Sequence, residues 1–229
     1  MQVKRTENKF IINKKEALIL KKRLDMIIPR DEHSISEDGY EIRSLYFDTI
    51  WDRCCQEKED GLQFHEKIRA RIYGTNGDVI KLESKKKNGE FQVKQTMLIK
   101  RDTLDQICRG NYGVLLKYDD PLAVYFYKKL SEGMIPKNII QYNRLSFCLN
   151  INNIRITFDS GIRATESCFD LFQDPLQAHP ILPENLVILE VKYNDFLFDY
   201  IKNALSVLEE KQTSFSKYFS GRSFYRYMI

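Results

Sequence analysis

The chain has 229 residues, and its content of 43% hydrophobic and 30% charged residues is typical of a globular protein with a sizeable core. The formal net charge of +4 is too small for a general nucleic-acid coat, so the positions of the basic residues matter more than their number. The five cysteines are odd in number and form no CxxC pair, which argues against a disulfide framework or a zinc site and favours a reducing cytoplasm.

Secondary-structure signals predict alternating strands and helices within one domain that covers residues 1–229. A first strand spans residues 4–12, and Asn13 then predicts a helix N-cap because Glu16 completes a capping box. An Asn88-Gly89 pair predicts a tight hairpin, and a second turn is predicted at 74–77. Further strands are predicted at 41–48, 64–73, 79–86, 91–98, 139–150, 154–159 and 186–193, and helices at 103–109, 121–132, 198–209 and from about 215. The sum predicts an α+β fold: a closed antiparallel β-barrel with helices packed outside.

Charged side chains alternate with apolar ones along several of these strands, so that residues two apart share a face. Lys67, Arg69 and Arg71 form one such set, opposite an apolar face. The other sets are Arg5, Glu7 and Lys9; Lys81, Glu83 and Lys85; Arg155, Thr157 and Asp159; and Glu190 with Lys192. The common meaning of such alternation is a sheet with one solvated face.

Two features favour a binding face over a solvated one. The same chemistry, mostly Lys and Arg with an occasional carboxylate, recurs on strand after strand, while Ser, Thr, Asn and Gln are scarce. Stacked like charges repel by up to a few kcal/mol for each close pair, so the cluster needs a polyanion or carboxylates to compensate it. We therefore predict a phosphate-binding interior, in which the carboxylates either hold a divalent cation or pair with Lys and Arg. For Glu83 and Asp159 we expect ion pairs.

The C-terminal segment offers a further candidate phosphate site, because Ser216 and Lys217 stand at a predicted helix start. An ordinary serine cap with a surface lysine explains the same spacing. The sequence contains no Gly-rich phosphate loop, neither GxxxxGK[ST] nor GxGxxG.

Eight short fragments follow one another in an order that is itself informative. They are E-x-K-aromatic at 7–10, S-x-Y-F-D-T at 44–49, R-x-R-x-Y-G at 69–74, E-x-K at 83–85 with Lys94 beyond the hairpin, Y-x-R at 142–144, R-x-T-x-D-x-x-I-R at 155–163, L-E-x-K at 189–192 and F-S-K-aromatic at 215–218. Together they resemble the vacuolar transporter chaperone (VTC) domain of the CYTH-like triphosphate tunnel metalloenzyme superfamily.

The resemblance implies a tunnel barrel in which the γ-phosphate of ATP is transferred to a growing polyphosphate chain with Mn²⁺ or Mg²⁺. It implies six basic residues that hold the reacting phosphates: Lys9, Arg69, Arg71, Lys85, Arg144 and Arg155. It implies six further substrate-binding residues, of which Ser216 and Lys217 take the terminal phosphates: Lys67, Lys94, Arg163, Lys192, Ser216 and Lys217. It assigns the metal to Glu190 and Glu7.

Two departures from the family pattern leave alternatives open. Arg5 stands where the hydrolase branch of the superfamily has its first Glu, which favours the polymerase over a triphosphatase or NTPase. Ser214 stands where some relatives have Lys, so a non-catalytic polyphosphate-binding module is a further alternative. ATP and polyphosphate are the expected ligands, and nucleic acid is not expected. We expect a location in the cytoplasm, or at the membrane periphery through a separate membrane-protein partner.

Overall fold

The computed structural model describes residues 5–34, 36–75, 79–89, 91–206 and 212–226. Its main strands are β1 (Arg5–Asn13), β2 (Tyr40–Thr49), β3 (Phe64–Tyr73), β4 (Val79–Asn88), β5 (Phe91–Lys100), β6 (Met134–Leu149), β7 (Ile154–Thr165), β8 (His179–Pro180) and β9 (Leu186–Asn194). Its α-helices are α1 (Lys14–Asp25), α2 (Arg53–Glu59), α3 (Arg101–Cys108), α4 (Ala123–Ser131), α5 (Asp199–Ala204) and α6 (Lys217–Arg226). The protein is therefore α+β, as predicted. The predicted turn at 74–77 and the end of the helix at 198–209 lie partly outside the described residues.

Hydrogen-bonded strands follow the order β1-β9-β7-β6-β2-β3-β4-β5, and β8 pairs with β7. Within the described residues this order is an open path with β1 and β5 at its two ends. The predicted closed barrel is therefore corrected to an open antiparallel sheet. Alternation along a strand shows which residues share a face, but closure depends on which strands pair, and that information is not local.

The chain divides into two compact units. Unit 1 comprises residues 1–41, 142–162 and 180–216, and unit 2 comprises residues 42–141, 163–179 and 217–229. The long strands β6 and β7 contribute residues to both units. The assignment of residues 1–229 to a single domain stays a prediction.

The core of unit 1 forms where α1 covers the apolar face of its strands. The side chain of Asn13 accepts a hydrogen bond from the amide of Glu16, and the Glu16 carboxylate accepts one from the amide of Asn13, so the predicted capping box is confirmed. The apolar stripe of α1 packs on side chains from β1, β6, β7 and β9: Ile12, Leu20, Leu24, Phe147, Ile156, Phe158 and Leu189 belong to this cluster. The charged side chains of the same strands are thereby left on the opposite face.

Unit 2 is built on four consecutive antiparallel strands, β2 to β5. The predicted hairpin at Asn88-Gly89 joins β4 to β5, and Gly89 adopts a φ of 59°, which a side chain would disfavour. Helix α6 packs closely through Gly221, where an added Cβ would lie 2.6 Å from Cδ1 of Ile140. None of the described helices combines the length and the apolar character needed to cross a membrane.

Candidate functional site

One face of strands β2 to β5 in unit 2 carries three cross-strand rows of mostly polar side chains. The strand registers place Lys67, Lys85 and Lys94 in one row; Tyr46, Arg69, Glu83 and Thr96 in the next; and Ser44, Arg71, Lys81 and Leu98 in the third. We call these residues the basic face of unit 2. The rows hold six cations and a single carboxylate, so the face carries a strong positive field that favours an anionic ligand.

Glu83 is the carboxylate that pairs with three of the six cations of this face. Its side chain is 1% exposed, and it accepts a 2.7 Å hydrogen bond from Nε of Arg69. It also forms ion pairs with Lys94 and, at 3.9 Å, with Arg71. Burial favours the neutral acid, but Arg69, Arg71 and Lys94 outweigh burial and lower the pKa of Glu83 to about 2. The ion pairs expected for Glu83 are therefore confirmed.

Tyr46 is a second partner of Arg69 on this face. Nη1 of Arg69 donates a 3.1 Å hydrogen bond to the Tyr46 hydroxyl, and the guanidinium lies 5.8 Å from the ring centroid. Burial raises the pKa of Tyr46, but the charges of Arg69 and Arg71 and the hydrogen bond from Arg69 outweigh it and lower the value to about 8.

We expect Tyr46 to ionise at a lower pH than an ordinary tyrosine, whose pKa is 10.0. A titration followed by tyrosinate absorbance should show a step of one tyrosine near pH 8, and Tyr46→Phe should remove it. Because the pKa is lower in the folded state, ionisation of Tyr46 adds stability as the pH rises from about 8 to 10, and this gain is absent below pH 8. The matched control Tyr200→Phe, at an exposed position, should keep the step. A wild-type titration without absorbance change below pH 9 would contradict the assignment.

Helix α6 is anchored beside Tyr46 by a buried tyrosine. The ring of Tyr218 stacks on that of Tyr46 with centroids 5.0 Å apart, and its hydroxyl donates a 2.5 Å hydrogen bond to Asp48. Burial and Asp48 raise the pKa of Tyr218, so this hydroxyl stays neutral and remains a donor. Asp48 also accepts hydrogen bonds from the amides of Cys54 and Cys55 at the start of α2. Tyr218 thus supports Tyr46, which in turn contacts Arg69. The pattern of basic residues does not predict this contact; its sequence signals are the fragments at 44–49 and 215–218.

The polar face of unit 1 centres on four residues of β1 and β9 that alternate in charge. The register opposes Glu7 to Lys192 and Lys9 to Glu190. Nζ of Lys9 lies 3.2 Å from Glu7 and 3.7 Å from Glu190, while Nζ of Lys192 lies 3.0 Å from Glu190. Burial favours the neutral form of Glu190, but Lys192, a hydrogen bond with Glu7, Lys9 and Arg144 together lower its pKa well below the ordinary range. We call Glu7, Lys9, Glu190 and Lys192 the β1–β9 cluster.

The β1–β9 cluster fits the chemistry of a divalent cation. The carboxylates of Glu7 and Glu190 flank the same ammonium group, that of Lys9, at 3.2 and 3.7 Å, and neighbouring carboxylates need a proton or a cation between or beside them. Hard oxygen donors suit Mg²⁺ and Mn²⁺, and Mg²⁺ is often held by one or two carboxylates together with substrate phosphates. No group of three His, Cys, Asp or Glu side chains that could enclose a metal occurs in the part of the chain that the structure describes. The two carboxylates would therefore need ligand oxygens to complete the coordination.

Two arginines of unit 1 lie next to this cluster or on its face. Arg144 forms a two-pronged pair with Asp159, with both N–O distances at 2.7 Å, and approaches Glu190 to 4.0 Å. The ion pair expected for Asp159 is thus confirmed. Arg155 donates hydrogen bonds to Ser146 and to Asp31, and its side chain is 39% exposed.

The remaining predicted residues are placed less closely together. Ser216 directly precedes α6 and Lys217 is its first residue, so the predicted helix start is confirmed. Lys9 donates a 3.4 Å hydrogen bond to the carbonyl of Phe215, which connects β1 to the residue before Ser216. Arg163 lies exposed on β7.

Comparison with known proteins places this arrangement in a family. The family model of the VTC domain matches residues 4–225. The chain belongs to the VTC domain family. A search of curated proteins found no match.

Solved structures similar to this VTC domain include a candidate adenylate cyclase of Bacillus halodurans, which has 9% identity and a TM-score of 0.51 over 93% of this chain and 95% of that one. A candidate adenylate cyclase of Vibrio parahaemolyticus has 12% identity and a TM-score of 0.49 over 94% and 96% of the two chains. A protein of Pyrococcus horikoshii has 14% identity and a TM-score of 0.46 over 97% and 99%. At 9% identity the first likeness shows the fold alone.

Proposed function

We propose that this VTC domain is a polyphosphate polymerase that transfers the γ-phosphate of ATP to the end of a growing polyphosphate chain. The observation that carries the proposal is the basic face of unit 2, whose three cross-strand rows hold six cations and one carboxylate. A chain of phosphates, with a charge at every repeat, matches three rows of cations better than a single small anion does. The assignment to the VTC domain family also supports a phosphoryl-transfer function.

The proposed step exchanges one phosphoanhydride bond for another. A terminal oxygen of the polyphosphate chain attacks the γ-phosphorus of ATP, the bond from that phosphorus to the β–γ bridging oxygen breaks, and ADP leaves. Because such transfers depend mainly on positioning and charge neutralisation, the protein needs cations more than a nucleophile of its own.

We assign roles to side chains by their chemistry. The guanidinium groups of Arg69 and Arg71 present paired donors that suit phosphate oxygens, and their remaining N–H groups are oriented by Glu83 and Ser44. The ammonium groups of Lys67, Lys85 and Lys94 are point charges on flexible stems, so they can pair with phosphates at different positions along the polyphosphate. Arg144, Arg155, Lys9, Lys192, Arg163, Ser216 and Lys217 are proposed as the further phosphate contacts.

Glu190 and Glu7 are the residues that would hold the divalent metal. When bound, Mn²⁺ or Mg²⁺ would neutralise phosphate charge and orient the phosphates for transfer. Lys192 and Lys9 lower the pKa of Glu190, so this carboxylate stays ionised and available to a metal.

The first test is to incubate the purified protein with ATP and Mn²⁺, resolve the products on a gel stained for polyphosphate, and measure free phosphate in parallel. We expect long polymer with little free phosphate. Free phosphate without polymer would replace the polymerase with a triphosphatase. If neither forms but tripolyphosphate binds by calorimetry, the domain is a binding module without turnover.

The basic face is tested by Arg69→Gln, which removes the residue shared by Glu83 and Tyr46. We expect tripolyphosphate affinity to fall by about 10-fold or more, because hydrogen bonds to charged groups contribute about 1.5–3 kcal/mol. Arg109→Gln, at an exposed arginine after α3, should leave the affinity unchanged. Equal binding by both variants would exclude this face as the phosphate site.

A further inference from the structure

Thr157 has no assigned role, yet it stands at the centre of the polar face of unit 1. It lies on β7, where alternation sends Ile156 and Phe158 into the core of unit 1 and leaves Arg155, Thr157 and Asp159 on the other side. The register of β7 with β9 places Thr157 directly opposite Glu190. Its hydroxyl therefore belongs to the same surface as the β1–β9 cluster.

The hydroxyl of Thr157 is buried and has no hydrogen-bond partner in the described part of the chain. The residue is 3% exposed, and Oγ1 forms no hydrogen bond with any described residue. A buried hydroxyl that forms no hydrogen bond destabilises the folded protein, because the same group would be hydrated in the unfolded chain. Such groups are rare in native proteins and call for an explanation such as a ligand that completes them.

The neighbours of Thr157 indicate which ligand would complete it. The carboxylates nearby already have cationic partners: Asp159 pairs with Arg144, and Glu190 pairs with Lys192 and Lys9. A hydroxyl can donate a hydrogen bond to an anionic oxygen and, unlike a lysine, adds no charge that would compete for these carboxylates.

We propose that Thr157 contacts the substrate and donates a hydrogen bond to a non-bridging oxygen of a bound phosphate chain beside Glu190. The inference rests on the proposed function, since it requires a phosphate ligand on this face. It adds a second uncharged contact, besides Ser216, to a set made mostly of Lys and Arg. The bound state then satisfies a hydrogen bond that the free protein leaves unmet.

Thr157→Val tests this proposal, because valine keeps the shape of threonine and removes the hydroxyl. We expect two opposite effects. The melting temperature without ligand should stay equal or rise, since an unsatisfied polar group is removed. The Kd for tripolyphosphate, measured by calorimetry, should rise by about tenfold, the size expected for one hydrogen bond to a charged oxygen. Thr157→Ser, which restores the hydroxyl, should bind within about twofold of wild type.

Thr165→Val is the matched control. Thr165 is also buried, at 1% exposed, but its hydroxyl is paired with Ser167 at 3.0 Å. This variant should lower the melting temperature and leave the tripolyphosphate Kd unchanged. Only Thr157→Val should therefore weaken tripolyphosphate binding, and only Thr165→Val should lower the melting temperature.

The outcomes separate the role of Thr157 from the function of the domain. If wild-type protein binds tripolyphosphate and Thr157→Val binds it equally well, the role of Thr157 is wrong while the proposed function stands. If wild-type protein does not bind tripolyphosphate, the proposed function fails and the role of Thr157 fails with it. If Thr157→Val does not fold, Thr157→Ala, which also lacks the hydroxyl, is compared with Thr157→Ser in the same assay.

Discussion

Glu190→Gln is expected to reduce metal-dependent turnover by about 10³-fold, because loss of a metal's charge stabilisation removes several kcal/mol from the transition state. The amide keeps the size of the side chain and removes the charge that Lys192 and Lys9 now neutralise. Turnover is measured as polymer formed from ATP over a range of Mn²⁺ concentrations. Calorimetry with Mn²⁺ alone should show weaker binding in the variant, which gives a readout independent of catalysis.

The effect of Glu190→Gln on metal binding has to be separated from its effect on folding. Glu190 is buried and offsets two ammonium groups, so the melting temperature of Glu190→Gln is recorded before activity is compared. Glu184→Gln, in the exposed segment before β9, is the matched control and should change neither activity nor Mn²⁺ affinity. Wild-type rates in a folded Glu190→Gln protein would remove Glu190 from the proposed metal site.

Glu83→Gln is expected to give the largest loss of stability, about 3–5 kcal/mol in the free energy of unfolding, because removing one partner of a buried ion pair leaves the other charges uncompensated. The charges left without a carboxylate belong to Arg69, Arg71 and Lys94. Urea denaturation at pH 7 in a phosphate-free buffer measures the loss. Tripolyphosphate should restore part of it, since a bound polyanion supplies the missing negative charge.

The pH dependence of that loss follows from the lowered pKa of Glu83. Its carboxylate is more acidic in the folded protein, so its contribution is fully present above the ordinary value of 4.5 and is lost as the pH falls from there through about 2. The difference between wild type and Glu83→Gln should therefore shrink over this interval. Glu57→Gln breaks a pair with the exposed Arg53 within one helix and should cost at most about 0.5 kcal/mol. A loss of that small size at Glu83 would mean that the basic face does not depend on it.

Local sequence signals place most elements correctly because these elements are set by near neighbours in the chain. The Asn13 capping box, the Asn88-Gly89 hairpin and strand β3 at Phe64–Tyr73 all lie at their predicted positions. The short helix α2 and the 3-10 helix at Tyr112–Lys117 are absent from the prediction. The side chain of the N-cap residue Asp52 does not cap helix α2. The amide of Arg53 bonds instead to Thr49, and those of Cys54 and Cys55 bond to Asp48, so the start of the helix depends on side chains at the end of β2.

The faces on which side chains lie can be predicted from the amino-acid sequence alone, because the period of two along a strand is a property of the backbone. Alternation therefore indicates the charged faces that hold Arg69, Arg71 and Glu190. Which residues meet across those faces is set by tertiary packing. Strand register sets Glu83 beside Arg69 and Thr157 opposite Glu190, and the docking of α6 brings Tyr218 to Asp48 across 170 positions in the chain. Such pairings, like the open order of the strands, depend on packing between segments distant in sequence, which alternation cannot encode.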